Sequence, residues 1–306
     1  MKIYLAIAAT LIALPVAAQA PVAMDDQSQL APSVQPPAGA DYFQPPLESE
    51  LPDNAFGALV REGRAIFVDT RNRAPEHVGN GMNCTNCHLD QGRKANSAPL
   101  WGAYPMYPAY RSKNDKVNTY VERMQGCFQF SMDGTAPAAD SHIMNALSAY
   151  SYWLSTGAPT GEVQPGRAYP KVQEPEGGYD LAQGRQVYEE QCAICHGDQG
   201  QGQKSGEDFV LPPLWGKESF NWGAGMHRIN TAADFIKESM PLGKGGSLTD
   251  EQAWNVAAFM NSHERPQDPR LIDGSVEETR KKYHANDGVN LYGVEVNGVV
   301  LGQGAD

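Results

Sequence analysis

Five cysteines carry the chemistry this sequence can do, and their spacing divides them into two pairs and one remainder. Cys84-Thr85-Asn86-Cys87-His88 and Cys192-Ala193-Ile194-Cys195-His196 both read Cys-x-x-Cys-His. That is the attachment signature of a c-type haem. Two thiols on one turn add to the haem vinyl groups, and the adjacent histidine is held against the iron. A zinc-binding or chance Cys-x-x-Cys is the competing reading, but both copies carry the histidine. Cys127 is left over. A free cysteine is often a small buried hydrophobe, whereas a lone thiol in an exported chain is a liability unless something such as iron holds it.

The chain repeats itself around these motifs. Gly63-Arg64 with Ile66 and Phe67 corresponds to Gly184-Arg185 with Val187 and Tyr188, and Leu100-Trp101-Gly102 to Leu214-Trp215-Gly216. Met240, in Ser239-Met240-Pro241, lies 26 residues after Leu214, while Cys127 lies 27 after Leu100. A methionine in such a loop is the usual sixth ligand of a cytochrome c, and His/Met ligation raises the potential. Cys127 therefore stands where the first half should present its sixth ligand, with Met124, Met132 and His142 as alternatives. For the second haem, His227, Lys237 and Lys244 compete with Met240. His77, His142, His263 and His284 read as structural or surface residues.

Helices must position these groups. Apolar spacing predicts one over about 54–68, another around Val117 to Met124 leading into Cys127, and a third over 141–154. A closing helix starts at Thr249, where Gln252 completes a capping box. The fold class is all-α: two cytochrome c-type domains in tandem, each a few helices wrapped on one haem. We place domain 1 at 51–156 and domain 2 at 179–265. Between them, 157–178 holds four prolines and five glycines and reads as a linker. Residues 21–50 read as an N-terminal arm and 266–306 as a tail packed over the domains.

Residues 1–20 read as a signal peptide, with Lys2, an apolar run from Ile3 to Val16, then small residues. Cleavage after Ala18 is preferred to cleavage after Ala20, which would leave Pro21 first. The apolar run is short of the ~20 residues needed to span a bilayer. These features predict a periplasmic protein without a membrane span. The 306-residue chain has a net charge of −12, which argues against nucleic acid as a partner. Around the first haem motif the balance reverses: between 93 and 123, Arg93, Lys94, Arg111, Lys113, Lys116 and Arg123 face only Asp115 and Glu122. The second domain, 178 to 265, has 7 basic and 12 acidic residues. The basic run is either a solvated face with a propionate clamp or an anion site. Arg123, one helical turn before Cys127, is its best single candidate.

These residues resemble the thiosulfate dehydrogenase family of dihaem cytochromes c. The resemblance runs from about Asn54 to His263 and is most specific at Asn83-Cys84-x-x-Cys87-His88-Leu89, Pro99-Leu100-Trp101-Gly102, Tyr110-Arg111-x-Lys113-Asn114 and Gly126-Cys127-Phe128-x-x-Ser131-Met132. It implies oxidative coupling of two thiosulfates to tetrathionate, with some members running mainly in reverse. It also implies His88 and Cys127 on the active-site haem, and His196 and Met240 on the electron-transfer haem. Some members carry lysine directly before that methionine; Ser239 in its place speaks against a lysine-to-methionine ligand exchange. The family mechanism implies that Cys127 forms a covalent S-thiosulfonate, with Arg123, Arg111 and Lys113 offsetting charge and Ser131 donating a hydrogen bond. Electrons would leave through the second haem to a small cytochrome c or a high-potential iron–sulfur protein. Two other readings are a plain dihaem electron carrier and a sulfur-transfer cytochrome with a His/Cys haem.

Overall fold

The computed structural model describes residues 42–111 and 114–305. The expected signal peptide, most of the N-terminal arm and Lys113 lie outside them. Among the described residues, six helices longer than one turn organise the fold: α1 (Ala55–Val68), α2 (Tyr120–Gly126), α3 (His142–Leu154), α4 (Leu181–Gln191), α5 (Ile229–Ser239) and α6 (Asp250–Asn261). Local chemistry sets their starts. Asn54 caps α1 by accepting from Gly57 N, Ser141 caps α3, and Thr249 with Gln252 forms the capping box of α6.

The internal repeat is also a repeat in space. α1 crosses α3 in the first half, and α4 crosses α6 in the second. At each crossing the helices come so close that a Cβ on the upstream glycine would collide with a backbone carbonyl, Ala146 O for Gly63 and Asn255 O for Gly184. Only glycine permits that approach. Trp101, Phe128, Met144, Tyr150 and Leu154 fill the first core, and Tyr188, Trp222, Ile229, Trp254 and Ala257 the second.

The all-α expectation needs one correction. The described residues are largely helical but add three two-stranded antiparallel hairpins: β1–β2 (Ala109–Arg111, Lys116–Asn118), β3–β4 (Gln203–Ser205, Asp208–Leu211) and β5–β6 (Glu295–Val296, Val299–Val300). Turn residues at positive φ close them: Asp115, Gly206, and Asn297 with Gly298. Val117, expected on a helix, lies on β2, and the helix starts only after Thr119.

The halves are joined by more than chain continuity. Asn221 donates to Gln129 O (3.0 Å) and Asp133 Oδ1 (2.8 Å), and its backbone N to Phe130 O (3.2 Å). Asn80, buried, donates to both Ser131 O and Ser219 O at 2.9 Å. Residues 157–178 run across this seam: Asn96 N donates to Gly166 O (2.7 Å), Tyr169 OH to Cys87 O (3.1 Å), and Lys171 pairs with Asp234 at 2.6 Å. No helix among the described residues is long and apolar enough to cross a membrane.

Candidate active site

One wall of the first site is the haem motif. Buried Thr70, just past α1, accepts from Cys84 N (3.2 Å) and donates to Cys84 Sγ (3.3 Å), fixing where the motif begins. The turn Cys84–Asn86 follows, with His88 N bonded to Cys84 O (3.1 Å). His88 Nδ1 lies 2.7 Å from Ala98 O. A carbonyl only accepts, so Nδ1 carries the proton and Nε2 is left with its lone pair for a metal. Ala98 holds a φ of 49° to present that carbonyl, a left-handed conformation that costs a non-glycine residue about 1–2 kcal/mol.

The opposite wall comes from α2. Thr119 and Glu122 form its capping box, Glu122 N to Thr119 Oγ1 at 3.1 Å and Thr119 N to Glu122 Oε2 at 2.8 Å. At Cys127 the helix widens into a π-turn, Cys127–Ser131, closed by Met132 N to Cys127 O at 3.0 Å. Such turns recur at functional sites because they re-aim side chains. Arg123 Nη1 donates to Cys127 Sγ at 2.8 Å.

Between the walls lies a cavity of about 250 Å³. Cys84, Cys87 and His88 line it from one side, and Arg123, Cys127 and Ser131 from the other, among apolar residues such as Phe67, Leu100 and Leu147. Environment divides its three thiols. Burial pushes Cys84 and Cys87 up to about 12. Burial also acts on Cys127, yet that thiol is brought down to about 6, with the Arg123 guanidinium the largest opposing influence. Two neutral thiols on one turn, an imidazole with a prepared lone pair, a facing thiolate and an apolar slot form a donor set that fits a haem.

Arg111 does not reach the wall. Its Nη1 donates to Tyr107 OH (2.9 Å), and Tyr107 lines the cavity in its place. Met124 and Met132 also line it, whereas His142 is at the surface, 2.9 Å from Glu62. Two residues near this haem motif escaped sequence reasoning: Arg167 on the cavity wall, and Tyr169 bonded to the haem-motif backbone. Both belong to 157–178, where proline and glycine content hid any sign of packing.

In the second half His196 Nδ1 lies 2.9 Å from Pro212 O, reproducing the His88 arrangement. Met240 is half-buried where α5 ends. Ser239 before it is buried and touches the first half, with Oγ 3.1 Å from Ser97 Oγ and 3.4 Å from Lys94 Nζ. Two of the competing ligands are engaged elsewhere. Lys237 Nζ donates to Leu248 O (2.5 Å) and pairs with Asp250 (3.1 Å), and His227 packs against His284.

Known families match both halves. Residues 74–160 match the SoxA/TsdA cytochrome c domain, and 180–260 match subunit III of cbb3-type cytochrome c oxidase, itself a cytochrome c domain. A thiosulfate dehydrogenase of Stutzerimonas stutzeri is 75% identical over 289 residues, covering 94% of each chain. The chain belongs to the thiosulfate dehydrogenase family. Another member, from Thiomonas intermedia, is 52% identical over 85% of this chain and 82% of its own. The thiosulfate dehydrogenase (TsdBA) of Marichromatium purpuratum, solved in its as-isolated form, superposes with a TM-score of 0.84 at 48% identity. The match covers 89% of this chain and 60% of that one. As a thiosulfate dehydrogenase-family cytochrome, this oxidoreductase holds two covalently bound haem c groups.

Proposed function

We propose that the protein couples two thiosulfates oxidatively to tetrathionate in the periplasm, and runs the reverse reaction at the same site. The observation that carries this is Arg123 Nη1 at 2.8 Å from Cys127 Sγ, in a cavity whose far wall is His88. His88 and Cys127 would hold the first haem, and His196 and Met240 the second, each domain wrapping its own. When bound, the haems would supply one-electron acceptors for the two electrons that sulfur–sulfur bond formation releases, with a small cytochrome c or high-potential iron–sulfur protein as the final acceptor.

The rest falls to this chain's residues. Cys127 Sγ, kept as a thiolate by Arg123 and freed from its ligand role, bonds to the outer sulfur of thiosulfate with loss of two electrons to the bound haems and gives an S-thiosulfonate. The outer sulfur of a second thiosulfate attacks that same sulfur, tetrathionate leaves, and Sγ departs as thiolate. Splitting the coupling this way spares two dianions from meeting unaided. Arg123 offsets the charge of each in turn, Arg167 adds a second cation at the wall, and Ser131 offers a hydroxyl donor. Arg111 acts through Tyr107. Purified protein given thiosulfate and a one-electron acceptor should produce half an equivalent of tetrathionate per thiosulfate. Given tetrathionate and a reduced dye, it should return thiosulfate. Haem reduction without tetrathionate would leave only an electron carrier.

A further inference from the structure

Where the C-terminal tail meets the turn before α5 lies a buried group of donors that the haem chemistry does not use. His227 sits on the turn before α5, His284 ends a π-turn at Arg280–His284, and Asp287 follows three residues later. His227 is 0% exposed, His284 1% and Asp287 8%. Their ligating atoms lie within 4.8 Å of one another.

Hydrogen-bond directions constrain the two rings. His227 Nδ1 is 2.5 Å from Ala224 O, and His284 Nε2 is 2.9 Å from Asp268 Oδ2. Both partners only accept, Asp268 being held as a carboxylate by Arg270 at 2.6 Å, so both nitrogens carry protons. The other two nitrogens, His227 Nε2 and His284 Nδ1, then face each other with lone pairs at 3.2 Å. Two neutral imidazoles repel in that pose unless a cation sits between them. Two nitrogens bound to tetrahedral zinc at ~2.0–2.1 Å stand roughly 3.3 Å apart. A metal-bound histidine also gives its other N–H to a carboxylate or backbone carbonyl, and here Asp268 and Ala224 fill those places. Asp287 Oδ2 lies 3.8 Å from His227 Nε2. Arg228 Nη1 lies 3.2 Å from Asp287 Oδ1.

We propose that His227, His284 and Asp287 bind a divalent zinc ion as a structural staple. It fastens the tail to α5, whose end carries Met240. A bridging proton, with Asp287 as its counter-charge, is the competing occupant.

Zinc and iron in the purified dihaem protein decide the matter. We expect one zinc for every two irons, and a zinc-edge absorption spectrum with imidazole scattering and no sulfur shell. Asp287→Asn and His284→Gln should each cut zinc to about a tenth of the parent level or less while both irons stay. If His284→Gln does not accumulate, Asp287→Asn alone makes the comparison, since the amide matches the carboxylate in shape. Two irons and no zinc, even after incubation with one equivalent of zinc sulfate, would show a bridging proton and overturn the proposal. So would sulfur-ligated zinc, or zinc retained at the parent level in Asp287→Asn.

Discussion

At the scale of single residues, Cys127 and Arg123 are asked to do most. Converting Cys127 to Met should leave a folded protein with two haems, because thioether is a competent ligand and the core around Phe128 is untouched. Its first haem should titrate at a higher potential. Both directions of turnover should fall by at least about a thousandfold, since both use the same sulfur. Redox titration and steady-state assays check this, and near-parental turnover would end the covalent scheme. Arg123→Ala removes a charge-assisted hydrogen bond worth ~1.5–3 kcal/mol. We expect kcat/KM for thiosulfate to drop roughly 10- to 100-fold by the same arithmetic, with both haems retained. The pairing of these two residues was readable from their four-residue spacing on a helix. Arg167 and Tyr169 were not, because nothing local in a proline- and glycine-rich stretch says what it will cover. His227 and His284 escaped for a related reason: they are 57 residues apart and meet only in three dimensions.

Elements explain why the site keeps its shape. α2 is short and depends on its cap, and Glu122, with its bonds to Lys116 and the Thr119 backbone, is held down at about 2. A folded-state value below the unfolded one stabilises the fold above the unfolded pKa, and that contribution is lost as pH falls. Glu122→Gln should therefore melt below the parent at pH 6, and the gap should close between about pH 4.5 and 2, as thermal scans across that range will show. The helix crossings make a sharper test. Gly184→Ala drives a methyl group into Asn255 O and should cost roughly 1–3 kcal/mol, read from denaturant midpoints, with Gly63→Ala behaving alike. The helix starts at Asn54, Ser141 and Thr249 were legible because apolar spacing, and at Thr249 a capping box, are local matters. The strand at Val117 was not: its apolar spacing fits a helix, and the pairing of Val117 with Tyr110 overrides it.

Across the whole molecule, the tandem architecture and the number of haems followed from the doubled motif. Intact mass of the mature protein should exceed the apo value by two haems. How the halves meet did not follow, since neither Asn80 nor Asn221 carries any signature of a seam. Yet that seam has a consequence for how such a protein can be built. Asn221 and Asn80 grip the backbone of the Cys127–Ser131 turn itself, and Arg270 from the tail stacks over Phe130 at 4.9 Å. Residues 157 to 163, by contrast, are mostly exposed, with Val163 at 72%. A protease nick there should yield two fragments on a denaturing gel that still elute together as one red particle. Peptide-bond continuity between the halves is then dispensable, and the same enzyme could be made from two separately translated chains.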